Sequence, residues 1–310
     1  MTNPSLHPQS ILIIHSGGIG DLLLALPAMR MFRRAFSRAK LELMGQPERL
    51  SLIAFDLQAE SIHSVDQGGM AYFYLEGQPL PVKLSAFFAQ FEVALVFGKS
   101  NLELFSRNLQ RAGITRTVSI PSFPPDGLGG HVADYLCQCL QSEGMSGQPS
   151  FFPLRLPGNA LAFGDRFWEE NGLKREDKVL AIHPGSGSAA KNWEPKKFAR
   201  VAAWAQRHSR IVLISGPAEK KEIAEVKQVM KEAFAVMAVD LPLIHLAVLI
   251  QRSTVYLGND SGITHLAASL DIPTIALFGP TDPVAWGPRG PKVKIIYSAP
   301  PTADGRRPSL

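Results

Sequence analysis

The stretch Gly258-Asn259-Asp260-Ser261-Gly262-Ile263-Thr264-His265-Leu266-Ala267-Ala268 constrains this chain more than any other. The apolar Val255-Tyr256-Leu257 before it reads as a buried strand. Asp260 or Ser261 is placed to cap a helix, and Ala267-Ala268-Ser269-Leu270 continues a helical face. A second apolar run, Thr274 to Phe278, then meets Gly279-Pro280-Thr281-Asp282-Pro283. Strand, sharp turn, helix and strand in this order predict an α/β domain with ligand-facing loops. The first amides of a helix lack partners within it and carry partial positive charge, so an anion is favoured at the start near Ser261 and Gly262.

The 310 residues suffice for two domains, and 45% hydrophobic residues suffice for two cores. No run of about 18 uncharged apolar residues occurs, and Met1 to Ser10 lacks the basic-then-apolar order of a leader, so neither a membrane span nor a signal peptide is expected. The expected location is the cytoplasm, with visits to the inner membrane face. Cys137 and Cys139, two apart on a helix, suit neither zinc nor a disulfide and read as reduced thiols. The net charge is +5, with Arg30, Arg33, Arg34, Arg38 and Lys40 close together. That cluster reads either as the solvated face of one helix or as a surface for an anionic partner. No recognition helix, zinc finger or RNA-binding aromatic motif appears, so nucleic acid is not an expected partner.

Ile11 to Ile14 is the continuous apolar run of a central parallel strand, and His15-Ser16-Gly17-Gly18-Ile19-Gly20-Asp21 turns the chain at its end. Leu22 to Phe36 follows as a helix, which Pro27 is expected either to kink or to delay until about Leu26. The glycine spacing is not G-x-G-x-x-G, and Lys40 to Met44 ends without the acidic residue of a dinucleotide site. Strands are predicted at Ser61–Val65, Val93–Phe97 and Arg116–Ile120, and helices at Pro47–Phe55, Asn101–Ala112 and His131–Glu143; Gln67 to Pro81 reads as a loop. Glycine and proline interrupt Gly144 to Gly158, which places the linker there. Beyond it the same alternation returns: strands at Val179–Ile182, Arg210–Ile214 and Ala235–Val239, helices at Pro195–His208, Lys220–Ala233 and Leu243–Gln251. The domains are expected at 1–150 and 151–298, with 299–310 a tail.

These motifs together resemble glycosyltransferase family 9, the ADP-heptose:lipopolysaccharide heptosyltransferases. The resemblance is carried by Gly18-Ile19-Gly20-Asp21 with Leu26-Pro27-Ala28, by His183-Pro184-Gly185-Ser186 with Lys191-Asn192-Trp193, and by Gly216-Pro217-Ala218-Glu219. It is carried further by Gly258-Asn259-Asp260-Ser261-Gly262 with His265-Leu266-Ala267, and by Phe278 to Pro283 with Gly287-Pro288. It implies a GT-B fold of two Rossmann-like domains with parallel sheets facing a central cleft. It also implies a metal-independent, inverting transfer in which an ADP-sugar is a co-substrate and no cofactor is resident. The partners are then a nucleotide-sugar donor and an anionic lipid-sugar acceptor displayed at a membrane. The alternatives are a nucleotide-sugar epimerase or hydrolase on the same fold, and a non-catalytic nucleotide-sugar-binding protein.

The resemblance makes Asp21 the general base toward the acceptor hydroxyl; by its position alone the plainer reading is a helix cap. Lys191 becomes the group that neutralises the departing diphosphate, against the plainer reading of a surface lysine. Ser186, Gly187 and Ser188 offer amides or hydroxyls to the same phosphates, or form a solvated turn. Ser261, Gly262 and His265 are donor-side candidates, and Asp260 either orders the loop or accepts from a sugar hydroxyl. Glu219 resembles an acidic ribose contact, and is also a good first-turn residue. Gly18, Gly20 and Lys99 are assigned to the acceptor side, where Gly98-Lys99-Ser100-Asn101 departs from the family's usual pattern. His183 and Asp282 are left as loop-ordering residues, and no residues have the spacing of a metal site.

Overall fold

The computed structural model describes residues 7–99, 101–125, 129–216, 220–230 and 235–298. The chain divides into two compact units, Met1–Ser150 and Phe151–Leu310.

In the N-terminal unit five parallel strands, β1 (Ser10–His15), β2 (Lys40–Gly45), β3 (Ser61–Ser64), β4 (Val93–Gly98) and β5 (Arg116–Pro121), lie in the order β3-β2-β1-β4-β5. Five helices connect or follow them: α1 (Ile19–Ala35), α2 (Pro47–Leu57), α3 (Val82–Phe88), α4 (Leu102–Arg111) and α5 (Val132–Ser142). Ile11, Leu12, Ile13 and Ile14 are all buried because helices cover both faces of the sheet, which is why the run does not alternate with polar residues. The order reverses between β1 and β4, so the turns after them diverge and leave a crevice at their carboxyl ends. Gly18 to Asp21 and Lys99 belong to those two turns.

Two expectations need correction here. First, Pro27 does not delay the helix to Leu26: α1 starts at Ile19 and Pro27 lies inside it. Proline removes one hydrogen bond and costs about 3 kcal/mol in a helix interior. Nine residues of α1, from Leu22 to Phe32, are buried, and each large apolar side chain contributes about 1.5–3 kcal/mol, so packing outweighs the lost bond. Second, the segment Gln67 to Pro81 is not a plain loop: Met70–Tyr74 forms a 3-10 turn. Phe73 from it is fully buried and meets Phe88 edge-on, with ring centroids 4.9 Å apart. Asn108 Nδ2 donates to the carbonyls of Phe73 and Leu75 at 2.9 and 3.1 Å, fastening the segment to α4.

The early arginines are also largely structural. Arg30 Nε and Nη2 donate to the two carboxylate oxygens of Asp56 at 2.7 and 2.9 Å, and that carboxylate is buried. Arg33 donates to the carbonyls of Leu57, Phe36 and Ala39, satisfying the ends of two helices. Part-buried, with Arg30 bidentate on Asp56 and Arg33 taken up by carbonyls, these two side chains do not form an open basic face; Arg34, Arg38 and Lys40 remain exposed.

In the C-terminal unit six parallel strands, β6 (Val179–His183), β7 (Arg210–Ser215), β8 (Ala235–Val239), β9 (Val255–Asn259), β10 (Thr274–Phe278) and β11 (Val293–Tyr297), lie in the order β11-β10-β9-β6-β7-β8. The helices are α6 (Gly158–Glu170), α7 (Pro195–Ala205), α8 (Lys220–Met230), α9 (Leu243–Gln251), α10 (Gly262–Ser269) and α11 (Pro283–Trp286). Here the order reverses between β6 and β9. The turns that start at His183 and at Asn259 therefore open the second crevice. The segment before α6 is tied to this unit, with Leu154 N donating to Ser269 O at 2.7 Å.

Candidate functional site

Most of the candidate residues stand in the turns that follow β1, β4, β6 and β9. In the N-terminal unit Gly18 is the residue before α1, with extended φ/ψ. Its amide donates to Asp21 Oδ2 at 3.0 Å, so the carboxylate ties down the helix start three residues away. Asp21 Oδ1 accepts nothing from the described residues and the side chain is half-buried. The helix-cap and general-base readings are thus compatible: one oxygen anchors, the other is available. A side chain at Gly17 would meet His15 Cε1 at 2.9 Å and Asp21 Oδ2 at 3.1 Å, which is why the turn needs glycine there. Arg49 from α2 donates to Gly17 O at 3.0 Å and holds the turn from the other side. Gly20 lies within the first turn of α1. Lys99, exposed after β4, places its ammonium 4.3 Å from the centre of the Phe123 ring.

Sequence reasoning missed His15, the last residue of β1. It is 3% exposed and meets Phe97 edge-on at 5.5 Å. Burial pushes its pKa down to about 4; Asp21 pulls upward and Arg49 downward, both more weakly. His183, the last residue of β6, is likewise lowered to about 4 by burial. Both are neutral when folded. Between pH 6.5 and 4 the unfolded chain therefore takes up protons that the folded chain does not, so stability is full above pH 6.5 and falls toward pH 4. Each histidine is expected to cost about 2 kcal/mol of stability between pH 7 and pH 5. Urea unfolding at the two pH values measures this, and His15→Leu should flatten the dependence of the N-terminal unit. Equal slopes for wild type and variant would remove the assignment.

The C-terminal unit gathers residues from three turns. Ser186 Oγ is 2.6 Å from Asn192 Oδ1 and accepts from Ser188 N at 3.3 Å, and Asn192 Nδ2 donates to Glu222 at 3.2 Å. Lys191 ends a short 3-10 turn (Ala189–Lys191). Its ammonium lies 2.7 Å from Asp260 Oδ2, with the lysine one-third exposed and the aspartate buried. Among the described residues that oxygen makes no aligned hydrogen bond, so the pair is held by charge. Asp260 does not cap α10. Ser261 does: its Oγ accepts from Thr264 N at 3.3 Å. The amides of Gly262 and Ile263 stand at the start of the helix, with no carbonyl one turn earlier to receive them.

Asn259, quoted in the sequence but assigned no role, joins these turns. It is fully buried; its Oδ1 accepts from Trp193 N at 2.9 Å and its Nδ2 donates to Pro184 O at 2.7 Å. Thr264 Oγ1 donates to its carbonyl and lies 3.1 Å from Tyr256 OH. A side chain at Gly258 would meet that hydroxyl at 2.4 Å, so glycine allows the strand and helix to close together. The available signal was a polar residue at the carboxyl end of a buried strand, the same signal that marks His15. His265 is buried on α10, one turn beyond the cap, and Gly187 is open to its surroundings. Asp282 accepts from Val284 N at 2.9 Å and starts α11, as a loop-ordering residue would. Glu219 lies outside the described residues, as does the tail 299–310. Cys137 and Cys139 are free thiols. Among the described residues no three His, Cys, Asp or Glu side chains converge as a metal-binding group, and no helix is long and apolar enough to cross a membrane.

Two Rossmann-like units, the second pairing Lys191 with Asp260 just before the Ser261-capped start of α10, are the parts of a GT-B glycosyltransferase fold. The family model for glycosyltransferase family 9 (heptosyltransferase) matches residues 153–308. The chain belongs to this family. It is 31% identical over 126 residues to lipooligosaccharide heptosyltransferase 2 of Campylobacter jejuni, a match covering 39% of this chain and 40% of that protein's length. In fold it is similar to a family 9 glycosyl transferase from Veillonella parvula (TM-score 0.78, 18% identity, 94% of this chain and 86% of that one). It is also similar to ADP-heptose LPS heptosyltransferase II of Escherichia coli (TM-score 0.74, 17% identity, 93% and 90%).

Proposed function

We propose that this chain transfers a heptose, or a related sugar, from an ADP-sugar to a lipopolysaccharide-core or similar lipid-sugar acceptor. The reading is of an inverting transfer that needs neither a metal nor a resident cofactor. The observation that carries it is Lys191, its side chain one-third exposed and its ammonium 2.7 Å from Asp260, the residue just before the Ser261 cap of α10. Family membership and the names of the similar proteins support the choice of donor and acceptor.

Each bond change then has a residue. The acceptor hydroxyl oxygen bonds to the anomeric carbon as the bond from that carbon to the diphosphate oxygen breaks. Asp21 Oδ1 takes the hydroxyl proton. Lys191 and the amides of Gly262 and Ile263 take up charge as it grows on the diphosphate. Ser186, Gly187 and Ser188 line the phosphates, His265 adds a donor, Asp260 accepts from the sugar once Lys191 turns to the phosphate, and Glu219 meets the ribose. Gly18, Gly20 and Lys99 shape the acceptor side. The protein works in the cytoplasm, at the inner face of the membrane that displays the acceptor.

The test is product analysis with ADP-heptose, with and without a truncated lipid-sugar acceptor. ADP is expected to appear together with glycosylated acceptor, and only when acceptor is present. Free heptose without acceptor would instead make the protein a hydrolase. An altered ADP-sugar would make it an epimerase, and tight binding without turnover a nucleotide-sugar-binding protein.

A further inference from the structure

With Arg30 and Arg33 used within the N-terminal unit and Arg34, Arg38 and Lys40 exposed there without an aromatic neighbour in the same stripe, an exposed basic stripe that also carries an aromatic side chain lies on α7. Lys196, Arg200 and Trp204 follow one another at intervals of four, and Arg207 stands just beyond the helix end. On a helix of 3.6 residues per turn Lys196, Arg200 and Trp204 fall within about 80° of one another. All four are exposed, and Trp204 is 65% exposed. The opposite side of α7, with Phe198, Ala199, Ala202 and Ala205, is buried in the core against β6, β7 and α8, so the direction of the stripe is fixed.

The acidic residue nearest in sequence, Glu194, is at the other end and taken up by Lys197 at 2.8 Å. Its carboxyl is held below the ordinary range first by that lysine's hydrogen bond and charge, and more weakly by Lys196 and Arg200. An indole left in water among cations has an amphipathic ring suited to an interface and neighbours suited to anions. A second copy of the stripe would repel it. A nucleic-acid strand needs successive aromatic platforms, and this stripe offers one.

We propose that the outer face of α7 docks on an anionic bilayer surface, with Trp204 among the headgroups and Lys196, Arg200 and Arg207 facing lipid anions. This goes beyond the proposed transfer reaction, which rests on Asp21 and Lys191 and assigns nothing to α7. The helix begins four residues after Lys191, so docking would hold the lysine turn close to the surface from which a lipid-linked acceptor is presented.

Co-sedimentation tests this with vesicles of phosphatidylcholine alone and vesicles containing phosphatidylglycerol, at low and high salt. The wild-type chain is expected to bind the anionic vesicles at low salt, to leave them at high salt, and to leave neutral vesicles unbound. The double variant Lys196→Gln/Arg200→Gln should bind about 25-fold more weakly, roughly fivefold for each cation. Trp204→Ala should lose binding and the accompanying blue shift in tryptophan fluorescence. Unchanged unfolding midpoints and ADP affinity in both variants would show that the fold and donor site are intact. Equal binding to neutral vesicles, variants that bind like wild type, or tighter binding to a single-stranded oligonucleotide than to anionic vesicles would each overturn the proposal. Vesicle binding needs no sugar transfer, so a failed transfer assay with normal docking would count against the transfer reaction alone.

Discussion

Replacing Asp21 by Asn is expected to lower kcat for sugar transfer by about 10² to 10⁴-fold, the usual contribution of a positioned general base, with ADP affinity unchanged. Asparagine keeps an oxygen that can accept from Gly18 N, so the start of α1 should remain tied as it is by the 3.0 Å bond to Asp21. What it lacks is a carboxylate oxygen to receive a proton. Asp21→Ala differs in one respect: it also removes the anchor, and should lower stability by about 1 kcal/mol. Urea unfolding of both variants beside their initial rates separates the two roles. A folded Asp21→Asn protein with the wild-type rate would end the base assignment and leave Asp21 as a helix anchor. ADP affinity is the internal control, because the proposed phosphate contacts, Lys191 and the α10 amides, all belong to the other unit.

The strands that the sequence makes legible are those buried on both faces. Ile11–Ile14, Val93–Phe97 and Val179–Ile182 are unbroken apolar runs because helices cover both sides of each sheet. Edge strand β11 reads poorly: only Val293, Ile295 and Tyr297 are partly buried, and Lys294 faces outward. Helix α3 is two turns long and α6 starts at a glycine without a capping side chain, so both lack the usual opening signals. At the candidate site, glycine- and serine-rich turns after strands pointed to the loops that follow β1, β6 and β9. The pairing of Lys191 with Asp260 left no trace in spacing, since topology rather than sequence distance brings β6 beside β9. Asn259 and His15 were hidden because a polar residue ending an apolar strand looks like part of the turn. Arg30 misled in the opposite direction: a cation on a helix looks solvated until its partner Asp56, on the next helix, is seen.

The Lys191–Asp260 pair makes the second large effect unusual in form. Removing a lysine from a phosphate site removes an attraction; here it also exposes a buried carboxylate to the incoming diphosphate, because Lys191 is what neutralises Asp260. Lys191→Ala is therefore expected to lower kcat/KM for the ADP-sugar by about 10² to 10³-fold, in the range of a lost transition-state donor, and to weaken ADP binding as well. Part of the weakened binding is repulsion, and that part can be reversed. The double variant Lys191→Ala/Asp260→Asn should bind ADP more tightly than Lys191→Ala alone while remaining as slow in transfer. Asparagine removes the negative charge but supplies no cation for the charge that develops on the leaving group. Asp260→Asn alone should leave Lys191 unpaired and bind ADP at least as tightly as wild type, since the lysine no longer has to leave a carboxylate to reach the phosphate. Calorimetric ADP binding and initial rates for the four proteins form a double-mutant cycle. Additive effects on ADP affinity would mean that the two side chains act independently on the nucleotide, and the pair would then be a structural contact that the donor never disturbs.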